Sequence, residues 1–275
     1  MDLISLNLWN QPFVDCLTSE SDLRVNQVMQ DDACFSYVQS GTQEVYSSTG
    51  KIVAKGGESI LMKCSNFIAD NSNPEPNTTF GSVVFHLNFN TVKKAFEGKD
   101  ISFLKSESIS VKPSLKISHS QEMDAFISSL TPYFENPDSA REEIMVLKLQ
   151  ELVYLLCDSG GNQVATQIIG SLQSQAQITF EDIIAANLYS GLSLSELAHI
   201  TARSVSSLKR DFTKWYNESP AKYFKAKRLE KAAKLLKNTN LRVNEIAWDC
   251  GFENTAHFSA SFRKLFGQTP KEYRD

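Results

Sequence analysis

Histidine is scarce and scattered in this chain: four occur in 275 residues, and only His86 and His119 fall within the first 170. No His-x-His pair exists, which argues against a metal site built from clustered imidazoles and a carboxylate. His86 stands alone in Val84-Phe85-His86-Leu87-Asn88-Phe89, where a packed or surface role outweighs a ligand role. No metal and no cofactor is expected. The five cysteines, Cys16, Cys34, Cys64, Cys157 and Cys250, are odd in number and form no Cys-x-x-Cys pair. That excludes a disulfide framework and a zinc knuckle and fits reduced thiols in the cytoplasm. A basic n-region followed by an apolar run is lacking, so no signal peptide is read. No apolar segment is long enough to span a bilayer, and no membrane partner is expected.

Positive charge is also short overall, with a net charge of -4. The balance is uneven, however. Residues 171–275 carry 16 Lys+Arg against 11 Asp+Glu, which is +5, and residues 1–170 carry 12 against 21, which is -9. Such asymmetry points to a nucleic-acid-binding half joined to something else.

The basic half holds one pattern twice. Leu194-Ser-Glu-Leu197-Ala198 is followed by Ser204-Val-Ser-Ser-Leu208-Lys-Arg-Asp-Phe212, and Val243-Asn-Glu-Ile246-Ala247 by Gly251-Phe252 and then His257-Phe258-Ser-Ala-Ser-Phe262. Each copy reads as a short helix, a tight turn and a second helix. Leu208 and Phe212, like Phe258 and Phe262, are i, i+4 partners that pin the second helix from behind. Ser193-x-x-Glu196 is a capping box, and Gly251 supplies a turn that a Cβ would obstruct. Between the copies, Pro220 opens a helix running to about Lys237, roughly 27 Å long. It suits a spacer between two recognition helices one DNA turn, about 34 Å, apart. Its six lysines read mostly as a solvated face.

Two copies in order, with Pro220, Tyr223, Arg228, Leu235-Leu236, Phe266-Gly267, Thr269-Pro270 and Tyr273-Arg274 around them, resemble the AraC/XylS family of bacterial transcription factors. The resemblance implies a regulator acting as an activator, whose partners are double-stranded promoter DNA and RNA polymerase. By the same match, Ser206, Lys209 and Arg210 reach base edges, where Lys or Arg suits guanine O6 and N7. In the second copy the outward residues are Asn254, Thr255, Ala256, Ser259 and Ala260, with Arg263 and Lys264 beyond. Alanine offers only apolar contact to a thymine methyl. The second copy is therefore expected to read DNA weakly and to grip backbone.

Between residues 24 and 90, short strand-like runs alternate with glycine turns, as in Cys34–Val38, Ser40-Gly41-Thr42 and Gly56-Gly57-Glu58. This spacing suggests an antiparallel barrel or jelly roll, and it loosely resembles the cupin-like sensory domain of the same family. Residues 120–157 read as helices: Met123, Phe126, Ile127, Leu130 and Phe134 share a face, and Ser139-x-x-Glu142 caps the next helix. There Met145, Leu149, Leu152 and Leu156 repeat at 4, 3, 4. This seam is buried against the barrel or also joins a second subunit, the position the family often uses to form a homodimer. Asp158–Asn162 ends the helix and Gln173–Gln177 has linker composition.

The expected architecture is α+β. A cupin-like sensory and dimerisation domain occupies 1–172, with helices about 120–170. A linker spans 173–177, and an all-α DNA-binding domain with two helix-turn-helix units spans 178–275. The effector of the first domain, a small molecule or a protein, is left open. The competing class is a cupin-type enzyme with a DNA-binding tail, which the missing ligand cluster opposes.

Overall fold

The computed structural model describes residues 1–27, 32–63, 66–73, 78–99, 114–158, 166, 168–169 and 179–274. The chain divides into two units, Met1–Ile178 and Thr179–Asp275. Cys64, the turn beyond Asp158 and the Gln173–Gln177 segment lie outside the described residues.

In the first unit the strands are β1 (Asp2–Leu8), β2 (Gln11–Ser19), β3 (Leu23–Gln27), β4 (Asp32–Ser40) and β5 (Thr42–Ser47). They continue as β6 (Gly50–Lys55), β7 (Ser59–Lys63), β8 (Phe67–Ser72), β9 (Phe80–Asn88) and, after helix α1 (Phe89–Ala95), β10 (Ser114–Ile117). All pairings among them are antiparallel. One sheet runs β1-β2-β9-β4-β7-β10 and the other β3-β8-β5-β6. Among the described residues no ladder joins the two. The barrel anticipated above is therefore corrected to two open sheets. The larger sheet is covered on its far side by helices, so the unit is a stack of layers.

Strand alternation separates the two faces of that larger sheet. Phe35, Tyr37, Val83, Phe85 and Leu87 join a core with α2 (Gln121–Ser128), α3 (Thr131–Glu135) and α4 (Glu142–Asp158). Cys34, Val38 and Val84 face a second core shared with Val45, Phe67 and Ala69 of the smaller sheet. Strands buried on both faces read as near-continuous apolar runs, and Val83–Leu87 does so. Phe85 centres the first core, with ring centroids 5.6 Å from both Phe13 and Phe126.

Two sequence expectations about α4 change. Ser139 sits in a short 3-10 turn and donates to the Asn136 carbonyl at 2.7 Å. The first intrahelical bond instead runs from Met145 N–H to the Arg141 carbonyl, so Arg141 occupies the cap position. Met145, Leu149, Leu152 and Leu156 are 0 to 1 % exposed within the core of their own unit. They are not available as a seam between subunits. A 4, 3, 4 spacing specifies one apolar stripe, and here the sheet and α2 take it up. The opposite edge of α4 carries Glu143, Leu147, Glu151 and Tyr154, all exposed.

The second unit holds α5 (Phe180–Ala186), α6 (Leu194–Ile200), α7 (Val205–Tyr216), α8 (Pro220–Asn238), α9 (Val243–Asp249), α10 (Thr255–Phe266) and α11 (Pro270–Arg274). Phe180, Ile184, Leu197, Ala198, Leu208, Phe212 and Phe224 form one small core. Leu229, Ala232, Ala233 and Leu236 form another with Ile246, Ala247, Phe258 and Phe262. Helix α8 thus contributes its first turns to one core and its later turns to the other.

Candidate nucleic-acid interface

Each half of the second unit is built the same way. Ser193 Oγ accepts from Glu196 N–H at 3.3 Å while Glu196 Oε2 accepts from Ser193 N–H at 2.7 Å, so α6 begins in a complete capping box. Helix α9 has the return half, with Glu245 Oε2 accepting from Arg242 N–H at 2.6 Å. The turn after α6 places Ala202 at φ +53° and lets Arg203 N–H reach the Ala198 carbonyl at 2.8 Å. The turn after α9 repeats this with Gly251 at φ +74° and Phe252 N–H on the Ala247 carbonyl at 2.9 Å. This is a left-handed C-terminal cap.

The second helices, α7 and α10, are held from behind. Leu208, Phe212, Phe258 and Phe262 are all 0 % exposed. Around Phe212 stand Tyr216, Tyr223 and Phe224 at 4.7, 5.4 and 5.6 Å between ring centroids. Around Phe262 stand Phe266 and Tyr273 at 4.5 and 5.3 Å. Burial beside Tyr223 pushes the Tyr216 hydroxyl up to about 12, so it stays a neutral part of this cluster. Helix α7 ends on Asn217 at φ +55° and α10 on Gly267 at φ +79°.

Pinning from behind leaves the front of α7 open. Ser206, Lys209 and Arg210 are exposed, with Thr213 one turn further. Lys209, Arg210 and Lys214 form no ion pair among the described residues. By contrast, four lysines of α8 are engaged within the unit. Lys222 pairs with Glu218, Lys227 with Glu230 and Lys231 with Asp249, and Lys237 donates to the Arg274 carbonyl. On α10, Ala256, Arg263 and Lys264 are exposed and Thr255 and Ser259 half-buried. Asn254 is spent as the cap, its Oδ1 accepting from Ala256 and His257 N–H at 2.8 and 3.1 Å.

One feature escapes sequence reading. A cleft of about 520 Å³ lies between the halves, lined by Ser193, Lys225, Arg228, Asn254 and His257 among others. Arg228 Nη1 donates to the Gly251 carbonyl at 3.4 Å there. No local spacing signals the cleft, because it depends on how both halves meet α8.

The comparisons with known proteins fall on these same segments. A helix-turn-helix domain model matches residues 197–275, and the model of the ExsA N-terminal regulatory domain matches residues 33–167. The chain belongs to the AraC/XylS family of transcriptional regulators. Among curated AraC-family relatives, the regulator GbdR of Pseudomonas aeruginosa is 39% identical over 101 residues, 36% of this chain and 28% of that protein. The virulence regulon activator VirF of Yersinia enterocolitica is 25% identical over 177 residues, 64% of this chain and 65% of that one. A crystal structure of an AraC-type regulator from Chromobacterium violaceum is 33% identical over 34% of this chain and 85% of its own, with a TM-score of 0.33. The chain thus matches under two thirds of the length of its first curated relatives. Among its described residues no helix is long and apolar enough to cross a membrane. Nor do three or more His, Cys, Asp or Glu side chains gather there as a metal site would need.

Proposed function

We propose that this AraC-family chain is a sequence-specific DNA-binding transcription activator of the bacterial cytoplasm, not an enzyme. The observation that carries the reading is the front of α7, where Ser206, Lys209 and Arg210 stand exposed and neither cation forms an ion pair among the described residues. On this reading Lys209 and Arg210 contact guanine edges, and Ser206 lies beside them. Ala256, Thr255 and Ser259 give apolar or weak polar contact in the neighbouring groove, and Arg263 and Lys264 hold phosphate. Asn254 acts mainly by capping α10, which leaves its side-chain amide nitrogen for a backbone contact. RNA polymerase is the protein partner that activation requires.

The first unit is read as the sensing part, its two sheets an opened relative of the cupin-like jelly roll. The division of labour falls at the 173–177 segment, with 178–275 as the DNA-binding part. Self-association, where it occurs, uses the outer edge of α4 around Leu147, which is 58 % exposed. Leu147→Lys then leaves a folded monomer, whereas Leu149→Lys unfolds the unit by burying an unpaired charge. Sedimentation and circular dichroism separate the two outcomes.

The deciding experiment selects a binding site from random duplex DNA with the full chain, then titrates it by gel shift at fixed salt. Tight binding that Lys209→Ala and Arg210→Ala weaken supports the reading. A folded chain that selects no sequence defeats it.

A further inference from the structure

A pocket of about 120 Å³ lies between the two sheets of the first unit. The larger sheet contributes the inward faces of β2 and β9, and the smaller sheet those of β5 and β8. Most of the wall is apolar, including Leu17, Val25, Phe67, Ala69 and Val84. Its polar part is unusual for the space between sheets. Ser36 Oγ donates to Gln43 Oε1 at 2.8 Å, and Gln43 Nε2 donates to Asn71 Oδ1 at 3.0 Å. These three residues are at most 5 % exposed. Beside them Ser82 is 0 % exposed, lines the pocket, and its Oγ has no hydrogen-bond partner among the described residues.

A buried hydroxyl without a partner is costly and rare in a native core. A ligand that both donates and accepts would satisfy it. The far side of the pocket holds Asp15 and His86, with Asp15 Oδ2 2.8 Å from His86 Nε2. Burial alone would raise the Asp15 carboxyl. Hydrogen bonds from His86 and Ser5, with the charge on His86, outweigh that and hold it below its ordinary value. A carboxylate therefore stands in the wall at neutral pH, and no Lys or Arg is among the described lining residues. Asp15 and His86 already pair with each other, so an anionic guest would lose its hydration and find no free cation among the described lining residues. One water needs about 10–15 Å³ of such space, so the pocket takes roughly eight to twelve non-hydrogen atoms.

We propose that this inter-sheet pocket binds a small neutral molecule, an amide or alcohol with an apolar body, whose polar head satisfies Ser82. The apolar body lies against Leu17, Phe67 and Val84, and the head sits at the Ser82, Gln43 and Asn71 end. Calling that molecule an effector rests on the regulator reading above.

The test uses the full chain and two probes of equal size, butyramide and butyrate, followed by methyl resonances in NMR. Butyramide should shift the Leu17, Val25, Ala69 and Val84 methyls and saturate in the millimolar range, as fits so small a ligand. Butyrate should bind at least about tenfold more weakly, since it brings a charge without a partner. Ser82→Ala should abolish the butyramide shifts while raising the melting temperature, because it removes the unsatisfied hydroxyl. Ala69→Leu fills the pocket and should abolish the same shifts without touching the polar end. No saturable shift, butyrate binding as tightly as butyramide, or undiminished binding to both variants would each overturn the proposal. Failure of the chain to bind DNA would defeat the regulator reading and leave this result standing.

Discussion

The two helix-turn-helix halves share a backbone plan and differ in what occupies its special positions. Where the first half has Ala202 and Asn217 in left-handed conformations, the second has Gly251 and Gly267. Where the first presents Lys209 and Arg210, the second presents half-buried Ser259 and exposed Ala260. The first half thus tolerates backbone strain beneath a chemically specific surface. The second is relaxed in its turns and carries only small side chains at the matching positions, with Arg263 and Lys264 beyond them. An unstrained scaffold and an informative surface are separate properties, and these halves have divided them.

The largest effect expected concerns whether the halves are separable at all. Phe212→Ala and Phe262→Ala should each cost about 3–5 kcal/mol, a large share of a domain's stability. Because α8 belongs to both cores, either change should lower one common unfolding transition. Trp215 in α7 and Trp248 in α9 report one half each, in a Trp9→Phe background. Urea curves that separate for the two tryptophans would show that α8 does not couple the halves.

Next comes recognition. Lys209→Ala or Arg210→Ala should cost about 1–3 kcal/mol of specific binding. Ala256→Ser should stay within about 0.5 kcal/mol. Gel-shift titration of all three on one selected site decides it, and the reverse ranking would invert the comparison.

The turns give a smaller effect of opposite sign in each half. Ala202→Gly should stabilise by about 1 kcal/mol, since glycine accepts positive φ freely. Gly251→Ala should destabilise by about as much. A Cβ there would lie 3.6 Å from the Arg228 guanidinium carbon, an ordinary contact, so backbone strain alone is at issue. Chemical denaturation of the pair measures both.

The smallest difference lies at the ends of α6 and α9. Thr201 donates through Oγ1 to the Leu197 carbonyl at 2.8 Å, whereas the matching residue is the buried Cys250. Burial pushes the Cys250 thiol up to about 11, with Asp249 adding to the shift and Lys231 opposing it. Only the thiolate reacts, so at pH 8 alkylation should be about a hundredfold slower than in the unfolded chain. Mass spectrometry after iodoacetamide treatment checks this at Cys250.

The second unit was legible because its signals are local. Caps, i, i+4 apolar pairs and the proline that opens α8 all act within a few residues, and the structure places each where its spacing points. The first unit was less so. The β1–β2 hairpin turns through Trp9 and Asn10 at positive φ, without the glycine that announces such a turn. The seam on α4 was visible as a stripe, but spacing alone does not name the neighbour that covers it. No local pattern in the short strands around Gln43, Asn71 and Ser82 marks those side chains as facing inward. Only the stacking of two sheets shows that they point inward.

Helix α8 has a consequence for the geometry of any operator. Its 19 residues form one uninterrupted rod, about 28 Å long, anchored in both cores. Such a rod fixes the angular phase of α7 against α10 as well as their separation. Adding one base pair between the two recognition sites moves them apart by about 3.4 Å and turns one against the other by roughly 35°. Two independent readers on a flexible tether would follow that rotation. On the binding mode proposed above, this protein would have to bend the DNA or surrender one contact, so its half-sites would belong to a single indivisible word.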